Sequence, residues 1–377
     1  MSNTKKKANI SFAAIRPYAE NNIITAKETK YAGRDYVEWG DGNQYPAFLQ
    51  ALYENVPTLH SIIDGCVDYV AGNDVTILPL TDGLSSGKMN LRGDTILEQV
   101  RDVSGDCFQS GGFALQIIRN GLGNPSEVYY IDIGNIRCNE DCTVFYYSEH
   151  WNKGWRKEVV VYPAFMPNLD WNALTDEERS RHASSILYVK RSRKSTYPVP
   201  CYAAAVKACE IERCIDDFHL NAINNGFTGS YIINFNNGVP TDEVKNEVEE
   251  DFNEKFSGHE NAGRIGFSWN PNKESATTIE KVDVEDFGEK YKSLESNSRQ
   301  KIFTAFRANP NLFGIPTESL GFSQEEYEAA FRLFNRTMIK PVQKMIADAY
   351  DKIYGMTGVM TIEPFSLEES AKEEDVK

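Results

Sequence analysis

The chain has 377 residues, 41% hydrophobic and 25% charged, which suffices for a buried core in two or three domains or in one elongated subunit. With 40 basic against 55 acidic residues it carries a net charge of −15, and proteins that hold nucleic acid statically by neutralising phosphates are usually basic. No apolar run reaches the roughly 18 residues a bilayer span needs, and the opening MSNTKKKANISFAAIRPYAE lacks the apolar region of a secretory signal, so no membrane partner is expected.

From about residue 10 to 195 the pattern is mixed. Trp39 to Pro46 reads WGDGNQYP, a turn-rich stretch leading into a helix over Pro46–Gly72 that is interrupted near Pro57. Leu49, Leu52, Leu59, Ile62, Ile63 and Val67 give that helix an apolar stripe. GLSSGKM, from Gly83 to Met89, imitates a phosphate loop, but it is one residue short between its glycines and has Met89 where a magnesium-binding hydroxyl belongs. A polar surface turn accounts for it.

A helix from about Ile96 leads into a strand over Phe113–Arg119. NGLGN, at Asn120–Asn124, lacks the third glycine and the helix of a dinucleotide fingerprint, and hairpin chemistry suffices for it. Strands then accumulate in EVYYIDI, TVFYYSE, KEVVVYP and SILYVKR, rich in β-branched and aromatic residues. The class is α+β, with the sheet drawn mainly from residues 111–190.

Seven cysteines at irregular spacing fit reduced thiols. CNEDC, Cys138 to Cys142, offers half of a zinc ribbon with no second pair, and the five histidines form no ligand motif. No nucleophile elbow or zinc-protease motif appears. The abundant carboxylates read as solvated faces. No catalytic, cofactor-binding or metal-binding residue is assigned.

The basic run Lys190, Arg191, Arg193 and Lys194 precedes a helix over Cys201–Asn225 with Gly226 as its stop. A strand SYIINF, an acidic helix from Thr241, and a strand RIGFSW follow, then a second long helix over Asp286–Ala308. Arg307–Phe331 holds Leu312, Phe313, Ile315 and Leu320 between breakers Pro310, Gly314, Pro316 and Gly321. Ser323 and Glu326 then form a capping box for a helix of about 48 Å, with a bend expected at Pro341. The tail from Ser366 is acidic.

The order and spacing of these pieces, from YPVPCYAAAVKACEIERCIDDF through LESNSRQKIFTAFRANPNLFGIP to GFSQEEYEAAFRLFNRTMIKPVQKMI, resembles tailed-bacteriophage portal proteins of the HK97-type and PBSX-type branch. The resemblance covers residues 197–355 well and the first half more weakly. It implies a homo-oligomeric ring, commonly a dodecamer, at one capsid vertex, with double-stranded DNA passing through without sequence specificity. It further implies a wing over 1–196, stem helices over 197–226 and 286–308, a small α/β clip over 227–285, and a long kinked helix with a short crown over 323–377. Residues 309–322 would be a tunnel loop, comprising Asn309, Pro310, Asn311, Leu312, Phe313, Gly314, Ile315, Pro316 and Gly321. Implied partners are the terminase large subunit, the major capsid protein and a head–tail adaptor; the location is the virion, after assembly in the host cytoplasm.

The apolar residues of the loop would pack on a neighbouring subunit. An ordinary connector, its apolar residues in the subunit's own core, is the other reading. The basic run would touch DNA or pair with acids of the next subunit. The functional alternatives are another capsid or head–tail structural protein and an acidic-cleft hydrolase.

Overall fold

The computed structural model describes residues 10–12, 23–31, 33–78, 87–151, 159–192, 194–224, 231–235, 238, 240–248, 265–269, 287–315 and 324–365. They fall into two compact units, one of Met1–Asn22 with Ile211–Ser298, the other of Ile23–Glu210 with Arg299–Lys377.

Strand β1 (Ile10–Phe12) belongs to the smaller unit; the larger begins with the antiparallel pair β2 (Glu28–Thr29) and β3 (Glu38–Trp39). Helices α1 (Tyr45–Asn55) and α2 (Pro57–Ala71) are separated at Val56, whose extended φ −116° and ψ 101° reflect the clash of the following proline ring with a helical backbone. The interruption expected at Pro57 is therefore one residue wide. Leu49, Leu52, Leu59, Ile62 and Ile63 are buried.

After β4 (Asp74–Ile77), helix α3 (Ile96–Gln109) starts at a capping box, Glu98 N donating to Thr95 Oγ1 and Thr95 N to Glu98 Oε2. Those hydrogen bonds from Thr95 hold the Glu98 carboxyl below its usual range. Strand β5 (Gly112–Arg119) and β6 (Pro125–Ile131) form the hairpin expected at NGLGN, closed by Asn120 N to Asn124 O at 2.9 Å. A second sheet runs β7 (Ile136–Cys138), β8 (Val144–Tyr147), β9 (Val160–Pro163), all antiparallel. Helix α4 (Asp176–His182), unforeseen from sequence, leads into β10 (Ser184–Lys190), which flanks β5 to give the order β10-β5-β6.

A buried arginine ties this unit together. Arg137, on β7, is 2% exposed. Its Nε donates to Asn43 Oδ1, and its terminal nitrogens donate to Asn43 O (3.0 Å), Gly134 O (2.7 Å) and Ile136 O (2.8 Å). The guanidinium lies 4.8 Å from the Trp151 ring centre and 5.6 Å from that of Trp39, and Trp39 stacks on Tyr197 at 4.6 Å. Burial lowers the Arg137 pKa to about 10, which leaves it charged at neutral pH.

WGDGNQYP thereby acquires a physical reason. Gly40 takes φ 78°, where a Cβ would fall 2.5 Å from Tyr45 Cβ, and the turn it permits brings Asn43 to the arginine.

Helix α5 (Val206–Asn224), entered by a 3-10 turn over Ala203–Ala205, carries the chain into the smaller unit. There β11 (Tyr231–Phe235) lies parallel to β12 (Ile265–Trp269), and β1 pairs antiparallel on the far edge of β12, Ile10 opposite Ser268. Residues 10–12, grouped by sequence with the first half, are thus hydrogen-bonded to a strand more than 250 positions away. Of the acidic helix, residues 242–248 are described and are helical.

Helix α6 (Phe287–Phe306) returns the chain to the larger unit, followed by α7 (Gln324–Phe334), a π-helical turn over Asn335–Ile339, and α8 (Lys340–Tyr354). Just before Pro341, where a bend is expected, the helix widens into that π-helical turn. In the widened turn Lys340 N reaches back five residues to Asn335 O, and Pro341 then occupies the first turn of α8, where an absent N–H matters least. Tyr350 Oη donates to Gln99 Oε1 at 2.8 Å and Gln343 Nε2 to Val70 O at 3.0 Å, docking α8 on α3 and α2. Strand β13 (Met360–Glu363) pairs antiparallel with β4, Met360 opposite Ile77. Pro316, Gly321, Arg193, the Ser323 cap and the tail from Ser366 lie outside the described residues.

Replacing Arg137 with Met keeps the aliphatic stem but leaves four buried acceptor contacts unmade. Urea unfolding is expected to register a loss of about 3 kcal/mol or more. A loss below about 1 kcal/mol would show that the arginine does not hold the unit together.

Candidate functional site

The segment that raised the clearest question in the sequence, Asn309–Ile315, is a built structure. α6 ends with Arg307 in the left-handed region (φ 53°), Arg307 N bonded to Thr304 O and Ala308 N to Phe303 O, the paired bonds of a Schellman stop without its usual glycine. Asn309 Oδ1 accepts from Asn311 N at 3.0 Å and opens a 3-10 turn over Pro310–Phe313; Gly314 ends it at φ 74°.

Leu312 is buried, and its carbonyl accepts a 2.8 Å hydrogen bond from Tyr69 Oη. The Phe313 ring meets Tyr69 (6.1 Å), Phe334 (5.8 Å) and Phe303 (6.0 Å) at angles near edge-to-face or tilted, and Ile315 packs on the same core. Room for that ring comes from α2: a Cβ on Gly65 would fall 2.7 Å from Phe313 Cε1.

The packing expected for these side chains therefore needs correction. Leu312 and Phe313 are not held out for a neighbour; they fill a gap in the larger unit's own core. Gly314 is exposed, and Asn309, Pro310 and Asn311 are half-buried.

The basic run is similarly redistributed. Lys190, at the end of β10, donates through Nζ to Ser195 O (2.5 Å) and Thr196 O (3.0 Å), so its charge serves its own chain. Arg191 and Lys194 are exposed. From the other side Glu28 on β2 accepts from Thr196 N (3.1 Å) and Tyr197 N (2.8 Å), while Tyr197 Oη donates to Val37 O. The strap 195–197, which leads towards α5, is clamped from both sides.

The acidic cleft that the sequence offered only as an alternative, with no residues assigned, has a counterpart of about 440 Å³ between α1, α2, α3 and the end of β6, lined by Asp64, Asp68, Asp102, Asp106, Tyr130 and Asp132. Asp106 is buried, and its Oδ2 accepts from Ile133 N at 3.1 Å. Burial first, and the Asp132 charge next, push the Asp106 carboxyl well above its usual range; burial also raises Asp132 and Asp102. A signal was present: Asp102 and Asp106 lie one helical turn apart, and Asp106 falls on the buried stripe of α3. Among the described residues no group of three His, Cys, Asp or Glu is arranged to hold a metal ion.

Two outcomes follow from this geometry. Gly65→Ala raises helix propensity by about 1 kcal/mol, yet it is expected to lower the melting temperature by displacing the Phe313 ring, and pairing it with Phe313→Leu should recover part of the loss; a plain gain in stability from Gly65→Ala alone would contradict the seat. Asp106→Asn should raise the melting temperature at pH 8. Because the folded-state pKa is raised, the stability linked to Asp106 is complete below the unfolded value near 3.9 and lost as pH rises, so the variant's advantage should vanish below about pH 4. Melting curves across pH read both, and an Asp106→Asn difference that does not change with pH would contradict the second.

A family model described as phage portal protein matches residues 93–364. No curated protein matches the chain. Among solved structures, the fold is similar to a chain of the virion of the native gene transfer agent particle, at 16% identity over 90% of this chain and 85% of that one, with a TM-score of 0.51. It is also similar to chains of the neck of the native particle computed with C12 symmetry (15% identity, 92% and 87% covered, TM-score 0.50) and of the neck of the empty particle computed with C6 symmetry (15%, 92% and 87%, 0.52). The matched pattern runs from just before α3 to just after β13, well over half of the sequence, and the chain belongs to the phage portal protein family.

Proposed function

We propose that this chain forms a closed ring, a dodecamer, at one capsid vertex, through which double-stranded DNA is packaged and later ejected. Family membership makes it a structural portal protein of a virion. The observation that carries the ring is the apolar surface its long helices leave uncovered: Ile211, Phe218 and Leu220 on α5 are 39%, 48% and 58% exposed, and Leu294 on α6 is 48% exposed. Within the smaller unit Phe218 stacks on Tyr291 of α6 at 4.9 Å, yet half of its surface remains open. Apolar faces of this kind call for a neighbour, and head-to-tail contacts between identical subunits close by rotation. Twelve copies are supported by the twelvefold symmetry of the native gene transfer agent neck and are compatible with the sixfold symmetry of the empty one.

On this reading α5 and α6 are the stem helices beside the channel. Residues 227–285 form the clip, which meets the terminase large subunit during packaging and the head–tail adaptor afterwards. Residues 1–196 supply most of the wing facing the major capsid protein, and 323–377 the long kinked helix and short crown. Residues 309–322 form the tunnel loop, with Leu312 and Phe313 as its anchor and not its contact surface.

A net charge of −15, repeated around the ring, repels phosphates over a Debye length of about 8–10 Å, which suits a conduit that must not grip its cargo. The chain performs no catalysis; ATP hydrolysis belongs to the separate terminase subunit. Assembly takes place in the host cytoplasm, before the ring joins the capsid.

Native mass spectrometry and negative-stain images of the purified chain should reveal closed rings. Leu220→Glu with Ile211→Glu should change subunit stability by under about 1 kcal/mol while sharply reducing the ring fraction. A wild-type chain that stays monomeric at micromolar concentration would overturn the proposal.

A further inference from the structure

The CNEDC motif has no part in the portal reading, yet the fold builds a chemical site from it. Cys138 ends β7 and is buried; Cys142 precedes β8 and is half-buried. Asn139 shapes the turn between them, its Oδ1 accepting from Thr143 N (2.8 Å) and Val144 N (3.1 Å), and Cys142 takes a left-handed φ of 53°. The two sulfurs come within 3.8 Å. From β10, Lys190 Nζ approaches Cys142 Sγ at 3.9 Å.

We infer that Cys138 and Cys142 are a redox modification site, a dithiol that reacts through Cys142 with low-molecular-weight disulfides and closes to an intramolecular disulfide. The division of labour follows from the surroundings. Cys142 is the less buried partner, and a hydrogen bond from the Cys138 thiol, then the Lys190 ammonium, lower its pKa to about 7 against the opposing effects of burial and the Glu28 charge. Cys138, donating that hydrogen bond and buried, is pushed well up and stays a thiol. Elsewhere burial raises Cys66, Cys107 and Cys201, which makes them poor competitors.

The chemistry balances in two exchanges. The Cys142 thiolate attacks one sulfur of the small disulfide, forming a mixed disulfide and expelling one small thiolate. Cys138 then gives up its proton to solvent and attacks Cys142 Sγ, forming the Cys138–Cys142 bond and expelling the second thiolate. Two protein thiols are oxidised and one small disulfide is reduced. Lys190 loses a thiolate neighbour in the process and retains the Ser195 and Thr196 carbonyls of the strap.

Oxidised glutathione added to the folded full-length chain at pH 7.5, followed by acid quench and peptide mass mapping, tests this directly. The Cys138–Cys142 disulfide should form about tenfold faster than any other cysteine reacts. Cys142→Ser should abolish that fast reaction, and Cys138→Ala should stop at a Cys142–glutathione mixed disulfide, with melting curves confirming that both variants fold. The unmodified chain decides the matter without either variant: if another cysteine reacts first, or if the Cys142 mixed disulfide accumulates without passing to Cys138, the assignment is wrong.

Discussion

The seating of Phe313 against Gly65 is the contact on which the C-terminal half of the larger unit depends. One ring touches α2, α6 and α7 through Gly65, Phe303 and Phe334, and Tyr69 fixes the adjoining backbone through the Leu312 carbonyl. Burying such a side chain contributes roughly 1.5–3 kcal/mol, and the hydrogen bond to an otherwise buried carbonyl adds about 1 kcal/mol. The larger gain is positional. Where α6 ends and the next segment begins is set inside the larger unit, so the tunnel loop of the proposed ring would start from a fixed base.

The approach to α5 is fixed by a comparable economy of means. Glu28, Lys190 and Tyr197 clamp the strap at 195–197, and Tyr197 in turn stacks on the Trp39 that flanks Arg137. The buried guanidinium is tolerated because three backbone carbonyls and one amide oxygen take its hydrogens and two indole faces its charge. The residues just before α5 and just after α6 are therefore both held by hydrogen bonds and ring contacts inside the larger unit.

Much of the fold was legible in the sequence where the signal was local. The break at Pro57, the NGLGN hairpin, the β10 strand and the two long helices all announce themselves within a few residues through proline, turn chemistry or periodicity. What could not be read was non-local. β4 and β13 are four residues each and pair across almost the whole chain, and β1 pairs with β12 over a similar span. Gly65 looks like a blemish in a helix until the ring that needs its space is known. The apolar residues at 312–315 were visible, but which surface would cover them was not: the same pattern serves a core connector and a subunit contact, and only the position of Gly65 and Tyr69 assigns Leu312 and Phe313 to the core. The acidic cleft gathers carboxylates from three separate segments, so abundance in the sequence concealed it.

The central claim, a ring of this chain at a single vertex, is tested most directly by reconstructing the vertices of assembled particles by electron cryo-microscopy without imposed symmetry. The account predicts one vertex per particle holding a closed ring of this chain, twelvefold when its symmetry is measured, with α5 and α6 beside the axial channel. This chain distributed over all the vertices, or present only as isolated copies away from any channel, would contradict it.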